Sequence, residues 1–210
     1  MIVLPNMNEL PKRKHNRLTG YDYSQSGAYF ITICARNKTK LFGTIPITVG
    51  ADTIRPPGTI RTQLSATGII VENAILKIPQ MYTGVSIDCY VIMPNHVHMI
   101  VVISNNDDGR ILSDGCGRII SAPTSSSISK IIGYFKQYAS RIAGFSLWQK
   151  SFHDRIIRND DEYNHIYEYI KNNPLLWDRD CLHPAKMMIC STTGKRAAGY
   201  SFNLLEFPTG

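Results

Sequence analysis

The sequence predicts an α+β domain. Two observations point there: β-branched and aromatic runs of strand length share the chain with helix-length apolar stripes, and the two kinds of segment do not alternate strictly. A third sets the scale. With 210 residues, 43% of them hydrophobic and 19% charged, the chain is long enough to bury one sizeable core, and its composition is not that of a disordered polymer.

Residues 1–17 read as a basic arm, because Pro5, Pro11 and the run Lys12-Arg13-Lys14-His15-Asn16-Arg17 carry charge and little to bury. Such an arm is either a solvated leader or a grip on phosphates. Ordered structure is expected to start at Ala28–Ala35 (AYFITICA), a strand by composition. Gly43–Thr62, dense in Gly, Pro and Thr, reads as loop. Gln63–Met81 places Ile69, Ile70, Ala74, Ile75 and Ile78 at helical spacing and predicts a helix ending before Pro79. Ser86–Ile103 holds two β-rich halves, Ile87–Met93 and His96–Ile103, parted by Pro94-Asn95: two strands, or one with a bend. A second long loop spans 105–127, a length that in compact domains is functional or disordered.

Two helices follow. Ile128–Ile142 aligns Ile128, Ile131, Ile132, Phe135, Ala139 and Ile142, and Asp160–Asn172 aligns Tyr163, Ile166, Tyr167 and Ile170. Asn159 and Glu162 are spaced as a capping box, and Asn172-Asn173-Pro174 is a stop. The expected division is therefore an arm over 1–17, one domain over 18–180 and a loosely packed tail over 181–210.

Composition also limits function. Twenty-three Lys and Arg against sixteen Asp and Glu give a net charge of +7, which favours a polyanionic partner. No apolar run reaches the roughly 18 residues of a membrane span, and residues 1–14 lack the order of a secretion signal. Five dispersed Cys without a CxxC argue against a disulfide framework or a structural zinc site and favour the cytoplasm.

The most informative segment is Met93-Pro94-Asn95-His96-Val97-His98. On a strand His96 and His98 share one face, while Val97, Met99, Val101 and Ile103 line the other. Two same-face imidazoles can hold a divalent cation and leave positions open for substrate. Taken alone, the pair is equally a pair of core or surface histidines. Among the tyrosines of the helix at 128–142, Tyr138 sits at the margin of the apolar stripe and Tyr134 further round, so Tyr138 is the better candidate nucleophile. A boundary tyrosine capping the core is the competing reading.

Three blocks occur in order: VIMPNHVHMIVVI, SISKIIGYFKQYASRI and LWQKSFHDRIIRNDDEYNHIYEYIKNNP. Together with the leading RLTGYDYSQSGAYFITICARNKTKLFG, they resemble the REP-associated tyrosine transposases. That branch belongs to the insertion-sequence-200-like group of HUH (histidine–hydrophobe–histidine) single-strand nucleases. The resemblance covers most of Arg17–Trp177. It implies a central antiparallel sheet flanked by helices, with metal ligands at His96 and His98 and the nucleophile at Tyr138. It further implies Mg²⁺ or Mn²⁺ as cofactor and single-stranded or hairpin DNA as substrate. DNA would be cut and rejoined through a 5′-phosphotyrosine, by a monomer or a homodimer. Some relatives add an amide ligand one turn after the tyrosine, where this chain has Ile142; His153 reads as a substitute ligand or a DNA contact, with an ordinary hydrogen-bonded histidine the plainer alternative. Lys136, Arg141, Lys150, Arg155 and Arg158 join Lys12, Arg13, Lys14 and Arg17 as candidate DNA contacts, and Trp148, Phe152 and Tyr163–Tyr169 as stacking or core residues. The alternatives are a DNA-binding protein of this fold without turnover, and a small metallohydrolase acting on another substrate.

Overall fold

The computed structural model describes residues 25–46, 61–104 and 128–184. The arm at 1–17, the 105–127 loop and the tail beyond 184 lie outside them. Strands β1 (Gly27–Cys34), β4 (Val85–Met93), β5 (His96–Ile103) and β6 (His153–Ile157) form one sheet in the order β4-β5-β1-β6, every pair antiparallel. Pro94-Asn95 closes the β4–β5 hairpin, so the two-strand reading holds. Two-residue strands β2 (Gly43–Thr44) and β3 (Gln63–Leu64) pair within the segment expected to be loop and at the expected start of the first helix.

Alternation along the central strands divides the core in two. Tyr29, Ile31 and Ile33 of β1 join Val97, Met99, Val101 and Ile103 of β5 on one face, as expected. Helices α1 (Ala66–Met81) and α2 (Ile128–Ala143) cover that face with Val71, Ala74, Ile75, Ile78, Ile131, Ile132 and Phe135. The opposite face carries Phe30, Ile100 and both histidines; Ile166 and Ile170 of α3 (Asp160–Asn172) pack there. Helices thus sandwich the sheet, an α+β architecture.

Local chemistry accounts for the helix starts. Ser65 caps α1 by accepting from Gly68 N at 3.0 Å, and its hydroxyl donates to Leu41 O at 2.6 Å. Asn159 caps α3 by accepting from Glu162 N at 2.8 Å, while Glu162 accepts from Arg158 N at 3.0 Å.

Two expectations about helix extent are corrected. Helix α1 begins at Ala66 and runs through Pro79 to Met81, because a proline in the last turn removes one bond while Tyr82 N still reaches Ile78 O. Its buried stripe includes Val71 and Met81, and Ile69 is half exposed. In α2, Ile142 points in nearly the same direction as Phe135 yet is 53% exposed. Periodicity gives a side chain's direction, not how far the neighbouring layer extends. Helix α3 ends at Asn172, where the Asn172-Asn173-Pro174 stop puts its end, and a 3₁₀ segment, Asn173–Arg179, follows. Among the described residues no helix is long and apolar enough to cross a membrane.

Candidate metal centre

Strand β5 delivers His96 and His98 to the α3 face with no solvent exposure. Their ring centroids are 4.5 Å apart; Phe30 stacks on His98 at 5.3 Å and Trp177 lies 6.0 Å from His96. Each Nδ1 has its own partner: Asn95 Oδ1 for His96 and Thr32 Oγ1 for His98, both at 2.8 Å. Both Nε2 atoms are therefore the ones directed at α3 and the segment after it.

That segment brings a carboxylate. Asp180 Oδ2 stands 3.6 Å from His96 Nε2, too far for a hydrogen bond, and ligand atoms of His96, His98 and Asp180 all lie within 4.8 Å of one another. His96 Nε2 is buried with no hydrogen-bond partner among the described residues. A nitrogen lone pair facing a carboxylate oxygen across 3.6 Å, away from water, is unfavourable unless a cation or proton lies between. Burial holds the His96 imidazole well below its ordinary pKa, helped by His98 and Lys38. The proton is thus disfavoured. Two neutral imidazoles and one carboxylate are a donor set suited to a divalent transition ion, and the residues fit such an ion.

Helix α3 adds two further groups. The Tyr169 hydroxyl lies 3.4 Å from His98 Nε2, with ring centroids 5.4 Å apart. Asn173, one turn later and buried, hydrogen-bonds the Tyr169 oxygen through its side chain. Its own Oδ1 has no hydrogen-bond partner among the described residues. Burial raises the Tyr169 pKa above its usual value, with Asp180 and Cys181 adding to the rise, while the Asn173 hydrogen bond favours the anion. Burial also lowers His98 to about 3. Neighbouring Cys34, opposite His96 in the ladder, is pushed up to about 11 by burial.

The structure does not bring Tyr138 to the histidines. It lies on α2, which covers the other face of the sheet, and packs against the core there. Lys77 Nζ donates to its hydroxyl at 3.4 Å and lies 4.7 Å from its ring; Arg141 is 5.5 Å from the ring. Arg141 accordingly sits on that far face too. His153 is on the metal-centre face, since Thr32 pairs with both His98 and His153. Even so, it is not in the group of potential ligands, where Asp180 is the third member.

Lys136 is committed elsewhere. Its ammonium donates to the carbonyls of Gln149, Lys150 and Ser151 at 2.6, 3.4 and 3.3 Å. Arg155 pairs with Glu162 at 2.6 Å; Lys150 and Arg158 are exposed. Trp148 is core, 5.0 Å from Phe42 and 5.2 Å from Phe135. Lys12, Arg13, Lys14 and Arg17 lie outside the described residues.

Sequence reasoning missed Asp180, Tyr169 and Asn173. A signal for two of them was present: Asn173 follows Tyr169 by one helical turn, the amide spacing that Tyr138 lacks because Ile142 occupies it.

No family model matches the chain. Two solved structures are similar. One is a REP-associated tyrosine transposase bound to a REP hairpin, with a TM-score of 0.46 and 20% identity, over 72% of this chain and 68% of that one. The other is a candidate transposase of Deinococcus radiodurans R1, with a TM-score of 0.35 and 14% identity, over 74% of this chain and 95% of that one. In sequence the chain is 36% identical over 179 residues to an uncharacterized protein of Haemophilus influenzae, across 81% of its own length and 93% of the other. The chain therefore belongs to the family of that Haemophilus influenzae protein.

Proposed function

We propose that the chain is a metal-dependent tyrosine transposase that nicks and rejoins single-stranded or hairpin DNA in the cytoplasm. Tyr169 takes the nucleophile's role in place of Tyr138. The observation that carries this reading is a phenol 3.4 Å from His98 Nε2, beside a buried His96–His98–Asp180 group. The ordered motifs support the transposase reading but imply Tyr138 as nucleophile; the position of Tyr169 beside His98 is what moves the role.

His96, His98 and Asp180 would hold a divalent ion, which when bound supplies a Lewis acid for a non-bridging phosphate oxygen. The Tyr169 oxygen attacks phosphorus in line. A phosphotyrosine bond forms as the bond to the 3′-oxygen breaks, and the proton lost by Tyr169 ends on that 3′-hydroxyl. Because burial opposes phenolate formation, the hydrogen bond from Asn173 is needed to offset part of that cost. One phosphodiester replaces another, so a second 3′-hydroxyl can reverse the attack without a nucleotide cofactor. The chain would act as a monomer or a homodimer. The basic arm, with Lys12, Arg13, Lys14 and Arg17, is assigned to the DNA backbone, as are Lys150 and Arg158.

The test is a hairpin oligonucleotide with Mn²⁺, read as a covalent protein–DNA adduct on a denaturing gel. Adduct is expected from the parent and from Tyr138→Phe, and a loss of about 10³-fold or more from Tyr169→Phe. An adduct that survives Tyr169→Phe and disappears in Tyr138→Phe overturns the assignment. DNA binding without adduct from the parent points instead to a binding protein of this fold.

A further inference from the structure

We propose that Asn95 is the positioning residue of the metal centre: one side-chain amide sets which nitrogen of His96 faces the ion and ties three chain segments around it. The inference rests on the metal-centre reading but not on the DNA chemistry.

Asn95 is 1% exposed, in the two-residue turn directly before His96. Its Nδ2 donates to Leu182 O at 2.8 Å and to Lys38 O at 3.2 Å. Carbonyl oxygens cannot donate, so the amide nitrogen must face both of them and Oδ1 must face His96. Oδ1 in turn only accepts. His96 Nδ1, 2.8 Å away, must therefore carry a proton, and Nε2 is left as the nitrogen available to a cation. Amide orientation and imidazole tautomer are fixed by one set of bonds.

The two carbonyls belong to segments that matter to the centre. Leu182 lies two residues beyond Asp180 and its own N–H donates to Asp180 Oδ1 at 2.6 Å, so holding Leu182 holds the third ligand. Lys38 closes a turn in which Asn37 and Lys38 both adopt left-handed backbone, φ 55° and 53°, a conformation unfavourable for residues with a Cβ. The turn persists because neighbours hold it, and Asn95 is one of them. Backbone bonds reinforce the same junction: Ala35 N donates to Asn95 O at 2.8 Å and Phe42 N to Pro94 O at 3.0 Å. An apolar residue at position 95 would leave the buried Leu182 carbonyl and one imidazole N–H without the Asn95 bond and release the tie to Lys38 O.

The experiment uses the full chain with ¹⁵N-labelled histidine, free of added metal, with the His96 signal identified by its loss in His96→Gln. Ring ¹⁵N shifts are expected to show Nδ1 protonated and Nε2 bare. In Asn95→Ala the His96 signal should move toward the other tautomer or a mixture, and Mn²⁺ affinity by calorimetry should fall about 10–100-fold. Asn95→Asp keeps an acceptor for His96 but sets oxygen against both carbonyls. It should keep the tautomer and lose part of the affinity. An Nε2-protonated His96 in the parent overturns the proposal, as does unchanged affinity in Asn95→Ala. The parent spectrum needs no variant, so a misfolded Asn95→Ala does not remove the test. DNA cleavage is not read at any point, so its failure is a separate result.

Discussion

Asp180 Oδ2 faces His96 Nε2 at 3.6 Å, joining a residue beyond the last described α-helix to one on an interior strand. If these atoms are ligands, Asp180→Asn should weaken Mn²⁺ binding by about 10-fold or more and His96→Ala or His98→Ala by at least as much. His153→Ala should leave affinity within about threefold. Isothermal calorimetry decides it, and equal losses at His153 and Asp180 would remove Asp180 from the centre.

The metal-free chain should lose stability on acidification. Burial lowers His98 from 6.5 to about 3 and moves His96 the same way, so between these values the unfolded chain binds protons that the folded chain refuses. The contribution is complete above about pH 6.5 and is lost as pH falls toward 3, by at most a few kcal/mol. Urea midpoints at pH 7.5 and 4.5 read it. His98→Gln should show the shallower dependence.

Two helical glycines should respond in opposite directions. Gly133 is exposed in the middle of α2, and a Cβ there meets nothing within 4 Å. Gly133→Ala should stabilise by about 0.5–1 kcal/mol through helix propensity. At Gly68 a Cβ collides with the Phe42 carbonyl oxygen, which already accepts from Ser65 N at 3.0 Å. Gly68→Ala should destabilise by about 2 kcal/mol or more, visible in thermal melts.

Lys136→Met should act on stability, not on DNA affinity. Removing an ammonium shared by three carbonyls costs about 1–3 kcal/mol. The salt dependence of DNA binding should stay that of the parent, whereas Lys150→Gln or Arg158→Gln should each reduce its slope by about one counterion.

The strands and the shared face of the two histidines were legible because alternation depends only on neighbours in sequence. The caps of α3 were legible for the same reason. Tyr138 shows where such reasoning stops: a helix's own stripe locates its buried side but not which face of the sheet it covers. That choice is made by the connections, and α2 and α3 lie on opposite faces. Tyr169 sits in a helix rich in tyrosine, where core packing was the plainer reading. Asp180 gave no pattern at all, because its position depends on the 3₁₀ segment that returns the chain to the sheet.

His96 and His98 stand on a strand bonded to neighbours on both sides, so their separation cannot widen without breaking ladder bonds. Asp180 is fixed instead by local bonds, through the Leu182 N–H and, behind it, the Asn95 amide. Two coordination positions are therefore set by a ladder and the third by one junction, so the span offered to ions of different radius depends on that single amide. Size discrimination among divalent ions would then change with the residue at position 95.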